Sequence, residues 1–200
     1  MSKIQNSLPT LTIFCGLMLS NFCLGQGASY GFYNLAAGLD APVFDAQGNR
    51  LAGTNYLAIL YGGPTIDSLQ LARDDSSSVA MPPVPFTYMP LGEAGYFRYA
   101  RYVTIQTVPC GGTPWLQVRA WDVRLGATYE EVVSLDIGGY GESNLFQKQG
   151  GFDCGLPSPP ELLYGLQSFA LREVIPEPGS MLLLLLGLPA LLFFRRHRSP

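Results

Sequence analysis

Trp115-Leu116-Gln117-Val118-Arg119-Ala120-Trp121-Asp122 is the stretch whose reading decides the fold. Side chains alternate across a strand. Leu116, Val118 and Ala120 therefore share one face, and Trp115, Gln117, Arg119 and Trp121 share the other. The turn Cys110-Gly111-Gly112-Thr113-Pro114 leads into it. Before that turn, residues 96–107 put Val103 and Ile105 on one face and Tyr102, Thr104 and Gln106 on the opposite one. Residues 56–61 are almost continuously apolar, which predicts a central strand covered on both sides.

Shorter pieces surround these strands. Residues 28–34 alternate as a first strand, and residues 41–44 are extended. Asp45-Ala46-Gln47-Gly48-Asn49 is a turn in which Gly48 takes positive φ. Residues 68–72 and 144–148 are strand candidates. Residues 73–89, with Asp74-Asp75, three consecutive serines and Pro82-Pro83-Val84-Pro85, read as a surface loop with an edge-strand fragment near Phe86. Thr128-Tyr129-Glu130-Glu131 has capping-box spacing. It predicts a short helix with Tyr129, Val132 and Val133 on one face, stopped by Gly138-Gly139-Tyr140-Gly141. Residues 150–160 read as a loop. Residues 166–174 read as the last strand, with Phe169 and Leu171 inward.

Composition agrees with this pattern. The chain has 23 Gly, 16 Pro and 14% charged residues, which suits many turns rather than long helices. All eleven Tyr lie between Tyr30 and Tyr164. The expected fold is mostly β: a single β-sandwich-like domain with one short helix, spanning residues 26–174. That segment carries eight basic against fourteen acidic residues. No basic stripe points to nucleic acid.

The two ends carry targeting signals. Residues 1–25 read as a signal peptide, with Lys3 in the n-region, an apolar run over 11–24, and small residues at Gly25 and Gly27. An uncleaved N-terminal anchor is the alternative. Cys23 follows Phe22, which excludes a lipoprotein site. At the other end, Pro176-Glu177-Pro178-Gly179-Ser180 precedes an uncharged run from Met181 through Phe194 and the cluster Arg195-Arg196-His197-Arg198. The two prolines keep Glu177 in an extended backbone. As a helix the run rises about 21 Å, short of the roughly 30 Å hydrocarbon core. Arg195, Arg196 and Arg198 stay on the cytoplasmic side, so everything before the span faces out.

The order of these three parts in residues 175–200 resembles the PEP-CTERM sorting signal. The resemblance implies recognition by exosortase, a membrane-embedded cysteine protease-transpeptidase, in Gram-negative bacteria that also make exopolysaccharide. An ordinary C-terminal anchor is the alternative, but it needs no Pro-Glu-Pro and is usually longer. Asn55-Tyr56-Leu57-Ala58, Val118-Arg119-Ala120-Trp121-Asp122, Thr128-Tyr129-Glu130, Gly141-Glu142-Ser143 and Leu166-Gln167-Ser168-Phe169 together resemble small exported proteins of that class. This implies an exported β domain with no known activity. The route implied is export through signal peptidase and the Sec machinery. The chain is then held transiently in the inner membrane, cut by exosortase, and passed to the cell surface or extracellular matrix.

No catalytic constellation stands out, and the expectation is a non-enzyme without cofactor. The single His is His197, in the cytoplasmic tail, so Ser-His-Asp, Cys-His and His/Cys metal sites are not available to the exported domain. Asp74-Asp75 and Glu130-Glu131 are adjacent pairs whose side chains point apart; they read as a solvated loop and a helix first turn. Asp67, Asp74 and Asp75 lack a calcium-loop signature. Cys15 and Cys23 leave with the signal peptide. Cys110 and Cys154 remain as a disulfide candidate, against two unpaired thiols. Trp115, Arg119 and Trp121 with Tyr96, Tyr99 and Tyr102 read first as core and cross-strand pairs. The alternative makes Trp115 and Trp121 a sugar-stacking face for exopolysaccharide, as in a lectin-like surface module.

Overall fold

A computed structural model describes residues 27–77, 79–87, 94–151 and 159–175. The strands begin with β1 (Gly27–Tyr33), β2 (Leu35–Ala36), β3 (Leu39–Asp40), β4 (Val43–Phe44) and β5 (Gly53–Gly63). After a 3-10 turn, Ile66–Ser68, come β6 (Gln70–Leu71), β7 (Arg73–Asp74), β8 (Val84–Phe86), β9 (Arg98–Pro109) and β10 (Trp115–Asp122). The helix α1 (Tyr129–Leu135) is followed by β11 (Tyr140–Glu142), β12 (Phe146–Gln147), β13 (Glu161–Leu162) and β14 (Phe169–Ala170). The protein is thus mostly β with one short helix. Among the described residues no helix is long and apolar enough to cross a membrane. The signal-peptide segment 1–25 and the span from Met181 through Phe194 lie outside the described residues.

β10 and β5 pair antiparallel without a break, from Trp115 opposite Gly63 to Asp122 opposite Tyr56. The cross-strand pairs Val118–Leu60 and Ala120–Ala58 are buried on one face. They belong to a sheet ordered β11-β10-β5-β6, with β12 on β10 and β8 on β5. A second sheet is ordered β13-β1-β9-β7. The sheets share one core: Tyr30, Phe32, Val103 and Ile105 from one, Ala58, Leu60, Leu116 and Val118 from the other. Gly62, opposite Leu116, lies in close contact with the other sheet; a Cβ there would lie 2.7 Å from Ile105 Cδ1 and 2.9 Å from Leu116 Cδ2. Burying each Leu or Ile side chain here contributes about 1.5–3 kcal/mol.

Residues 73–89 differ from their expected loop. The chain crosses between the sheets at Ala72, which is buried; its N–H donates to Leu60 at 2.9 Å and its carbonyl accepts from Met81 at 3.0 Å. Arg73 and Asp74 then pair with Thr104 and Val103 of β9. A two-residue strand carries too little periodicity to be read from sequence. Near Phe86 the expected fragment is present as β8, paired with β5.

α1 starts as its capping box predicts. Thr128 Oγ1 accepts the Glu131 N–H at 3.2 Å, and Glu131 Oε2 accepts the Thr128 N–H at 3.2 Å. It ends earlier than the glycine run suggested. Asp136 takes the left-handed conformation, φ 53°, and its N–H donates to the Val133 carbonyl at 3.1 Å. The last strand is also shorter than expected: only Phe169 and Ala170 pair, parallel, with Val43 and Phe44.

Asn34 closes one end of the core. It is fully buried, and its Nδ2 donates to the carbonyls of Ala41 at 2.7 Å and Gly95 at 3.0 Å. Its Oδ1 accepts the Phe97 N–H at 2.8 Å. Asn34→Leu leaves those three backbone groups unpaired in the interior, each costing about 1–3 kcal/mol. Urea unfolding followed by tryptophan fluorescence is expected to show a loss of about 3–5 kcal/mol. Ile66→Ser, on the surface, should change stability by less than about 0.5 kcal/mol.

Candidate functional site

Pro176, Glu177, Pro178 and the cluster Arg195, Arg196 and Arg198 lie outside the described residues. The structure instead shows how the domain holds the chain up to that point. Beyond β14, Leu171 N–H donates to Phe44 at 2.9 Å and Arg172 N–H to Tyr140 at 2.8 Å. Gly139 N–H returns a bond to Arg172 at 2.9 Å, and Ile175 N–H donates to Ile137 at 2.7 Å. Residues 172–175 are therefore strapped along residues 137–140, between α1 and the start of β11, with Leu171 held on β4.

The glycines of that connection make the strap fit. Gly138 has φ 92°, and a Cβ on it would lie 1.8 Å from the Glu173 carbonyl oxygen. A Cβ on Gly141 would lie 2.5 Å from the Ala170 carbonyl oxygen. Glycine permits both the positive φ and the close backbone contact. In sequence the run reads as a helix stop; in the fold it receives the C-terminal segment.

A cleft of about 220 Å³ runs beside the strap, lined by Asp45, Tyr56, Asp122, Arg124, Arg172 and Glu173 among others. Its cations are already engaged. Arg124 Nε donates to Asp122 Oδ1 at 2.8 Å, and Arg124 Nη2 reaches Tyr56 Oη at 3.4 Å. Arg172 stacks 4.8 Å from the Tyr140 ring centre and donates to its hydroxyl at 3.0 Å.

The carboxylate pairs separate as expected, but Asp74 is not solvated. It is 3% exposed. Its carboxylate accepts from the Ser76 N–H at 2.9 Å, the Ser77 N–H at 3.1 Å, both serine hydroxyls and the Tyr99 hydroxyl. Arg101 Nη1 lies 3.6 Å away. The Ser76 and Tyr99 hydroxyl bonds hold the Asp74 carboxyl well below the usual carboxylate range. Asp67 and Asp75 are exposed. Glu131 is spent on the helix cap, and Glu130 accepts from the Tyr61 hydroxyl. Among the described residues no three His, Cys, Asp or Glu are grouped to hold a metal ion.

α1 packs over the Arg119 and Trp121 end of the outer face of β10. Arg119 lies 4.1 Å from the Tyr61 ring centre and 5.1 Å from that of Tyr129. Glu130 is 3.8 Å and Glu142 3.9 Å from its guanidinium. Burial, together with the bond to Glu130, pushes the Tyr61 phenol up to about 12. Trp121 is 1% exposed, with Nε1 donating to the Gly126 carbonyl at 3.2 Å and its ring edge-on to Tyr129. It offers no open face to a sugar, and Trp115, half-buried six residues away, does not combine with it. The Tyr run also divides. Tyr96 is buried with its hydroxyl on Asp40, Tyr99 is turned to Asp74, and Tyr102 is exposed.

Cys110 follows β9 and is a disulfide cysteine. Cys154 lies outside the described residues. The turn after Cys110 and the segment leading towards Cys154 are adjacent, since Gly150 N–H donates to the Gly112 carbonyl at 2.8 Å. The sequence did not mark Asp74 as a hub or Arg119 as the cation of an aromatic stack. The close glycine spacing at 138, 139 and 141 was the one legible sign of the strap.

Two outcomes follow from this geometry. An aspartate whose native pKa is depressed contributes stability that is present above its unfolded value, about 3.9, and is lost as pH falls towards the native value. The melting temperature is therefore expected to drop as pH falls below about 4. Asp74→Asn should melt lower at neutral pH and lose less on acidification; equal acid slopes would refute the assignment. Gly138→Ala should free the strap at a cost of about 1–3 kcal/mol of backbone strain, plus the bonds released. Hydrogen exchange should show the Arg172 and Ile175 amides losing protection while β5 and β10 keep theirs.

No family model, curated protein or solved structure matches this chain.

Proposed function

We propose that this chain is an exported, non-enzymatic cell-surface or extracellular-matrix protein, sorted and cut by exosortase at its C-terminal tail. The observation that carries the reading is the composite tail itself. Pro176-Glu177-Pro178, an uncharged run from Met181 through Phe194, and Arg195, Arg196 and Arg198 follow in that order. The tail begins one residue after Ile175, whose amide is the last anchored group of the described domain. A recognition tripeptide set directly after a held residue has little freedom to lose on binding a protease. The two prolines reduce that freedom further.

The route is export through signal peptidase and Sec, transient retention in the inner membrane by the C-terminal span, and transfer by exosortase. The two core-sharing sheets support a β-sandwich-like domain as the cargo. We further propose that Cys110 pairs with Cys154 in the oxidising compartment. The adjacency of Gly112 and Gly150 and the bonded state of Cys110 support that pairing. With Trp121 covered, the lectin-like alternative loses the aromatic pair on which it rested.

Glu177 stands just outside the span, where a hydrated carboxylate can meet a cationic group on the enzyme. Glu177→Ala is expected to leave membrane insertion intact and make full-length protein accumulate in the inner membrane. Fractionation of cells expressing a chain tagged after Gln26 measures this. Shortening and release equal to wild type would reduce the tail to an ordinary anchor.

A further inference from the structure

The strap also gathers exposed apolar surface. Leu135 is 49% exposed, Val174 43% and Ile175 65%, and Ile137 is partly exposed. All four lie within two residues of one hydrogen bond, Ile175 N–H to the Ile137 carbonyl. Other large exposed apolar side chains lie elsewhere in the chain: Ile66, Val79, Tyr102, Leu145 and Tyr164. Single exposed apolar residues are ordinary; a group at one place asks what covers it.

The chain beyond Ile175 answers this. Met181, where the uncharged run begins, is six residues on from Ile175. Fully extended, that stretch reaches about 20 Å. Resting on the proposal that this run spans the bilayer, the group can never be more than that distance from the membrane boundary. A tether of that length makes contact with the lipid surface effectively intramolecular. We propose that Leu135, Ile137, Val174 and Ile175 seat this end of the domain on the lipid surface, presenting the sorting tripeptide at the interface.

Two other occupants fit less well. The uncharged run is fourteen residues long, so folding it back on four side chains would leave most of its apolar surface in water. A second copy would need about 800 Å² on each partner, more than four side chains offer. The charges nearby are mixed: Asp136 and Glu173 against Arg124 and Arg172. Seating therefore rests on apolar contact, and should depend little on salt or on the anionic lipid fraction.

The test uses the full chain in vesicles of phosphatidylethanolamine and phosphatidylglycerol, with and without bromine on the acyl chains. Leu135→Trp and Val174→Trp place a reporter in the group; Ile66→Trp is the control. Ile66 has the same 49% exposure as Leu135, but follows the Gly63 end of β5, whereas Tyr56, seven residues back, lines the cleft beside Val174. Brominated lipid is expected to take a large part of the added emission from Leu135→Trp and Val174→Trp and leave that of Ile66→Trp nearly unchanged. Alkaline carbonate extraction of the same vesicles reads the span separately. Protein retained but quenched no more than the Ile66→Trp control overturns the seating and leaves the span standing. Protein stripped by carbonate overturns both. A blue-shifted reporter that bromine does not quench assigns the group to a second copy or to the tail, and also overturns the proposal.

Discussion

The fold depends on how closely two sheets approach at Gly62. There β5 has no side chain, and the ends of Ile105 and Leu116 occupy the space a Cβ would need. The uninterrupted β5–β10 ladder supplies an apolar face. β9 supplies Val103 and Ile105 to press against it. Close packing of this kind makes the core sensitive to one methyl group, because dispersion falls off within an ångström of contact. The crossing at Ala72 and the clamp at Asn34 meet the same demands of a closely packed interior. A chain moving between two closely packed sheets must be small at the crossing, and must satisfy its backbone groups without water.

The same logic of close approach governs the C-terminal end. Gly138 and Gly141 let a neighbouring backbone lie where side chains would stand. As a result the domain grips its own chain up to Ile175. The stability of this end of the domain is thereby tied to the glycines that receive it. The exposed apolar side chains of Val174 and Ile175 lie on that same segment.

Two polar groups, Asp74 and Arg119, each gather several partners around themselves. Asp74 draws the Ser76–Ser77 turn and Tyr99 around one carboxylate. Arg119 holds Tyr61, Tyr129, Glu130 and Glu142 around one guanidinium. Both satisfy their partners within the domain. A charge-assisted network of this kind fixes the placement of a loop or a helix.

Local sequence determined what local physics controls. Alternation placed β10 and β9, continuous apolarity placed β5 at the centre of its sheet, and reciprocal Thr128–Glu131 bonding placed the start of α1. The order of charge, proline and apolar residues in the tail is likewise a linear property, legible without a fold. Tertiary structure decided what depends on partners distant in the chain. β7, β13 and β14 are two residues each, too short to show a period; they exist because β9, β1 and β4 lie beside them. Asp74 reads as solvated until Tyr99, twenty-five residues on, comes to lie over it. Trp121 reads first as core with a sugar-stacking face as the alternative, and only the packing of Tyr129 of α1 against it decides for the core. The exposed group at Leu135, Val174 and Ile175 forms only when residues nearly forty apart are joined by one hydrogen bond. Burial belongs to the contact, and no residue carries it in its own identity.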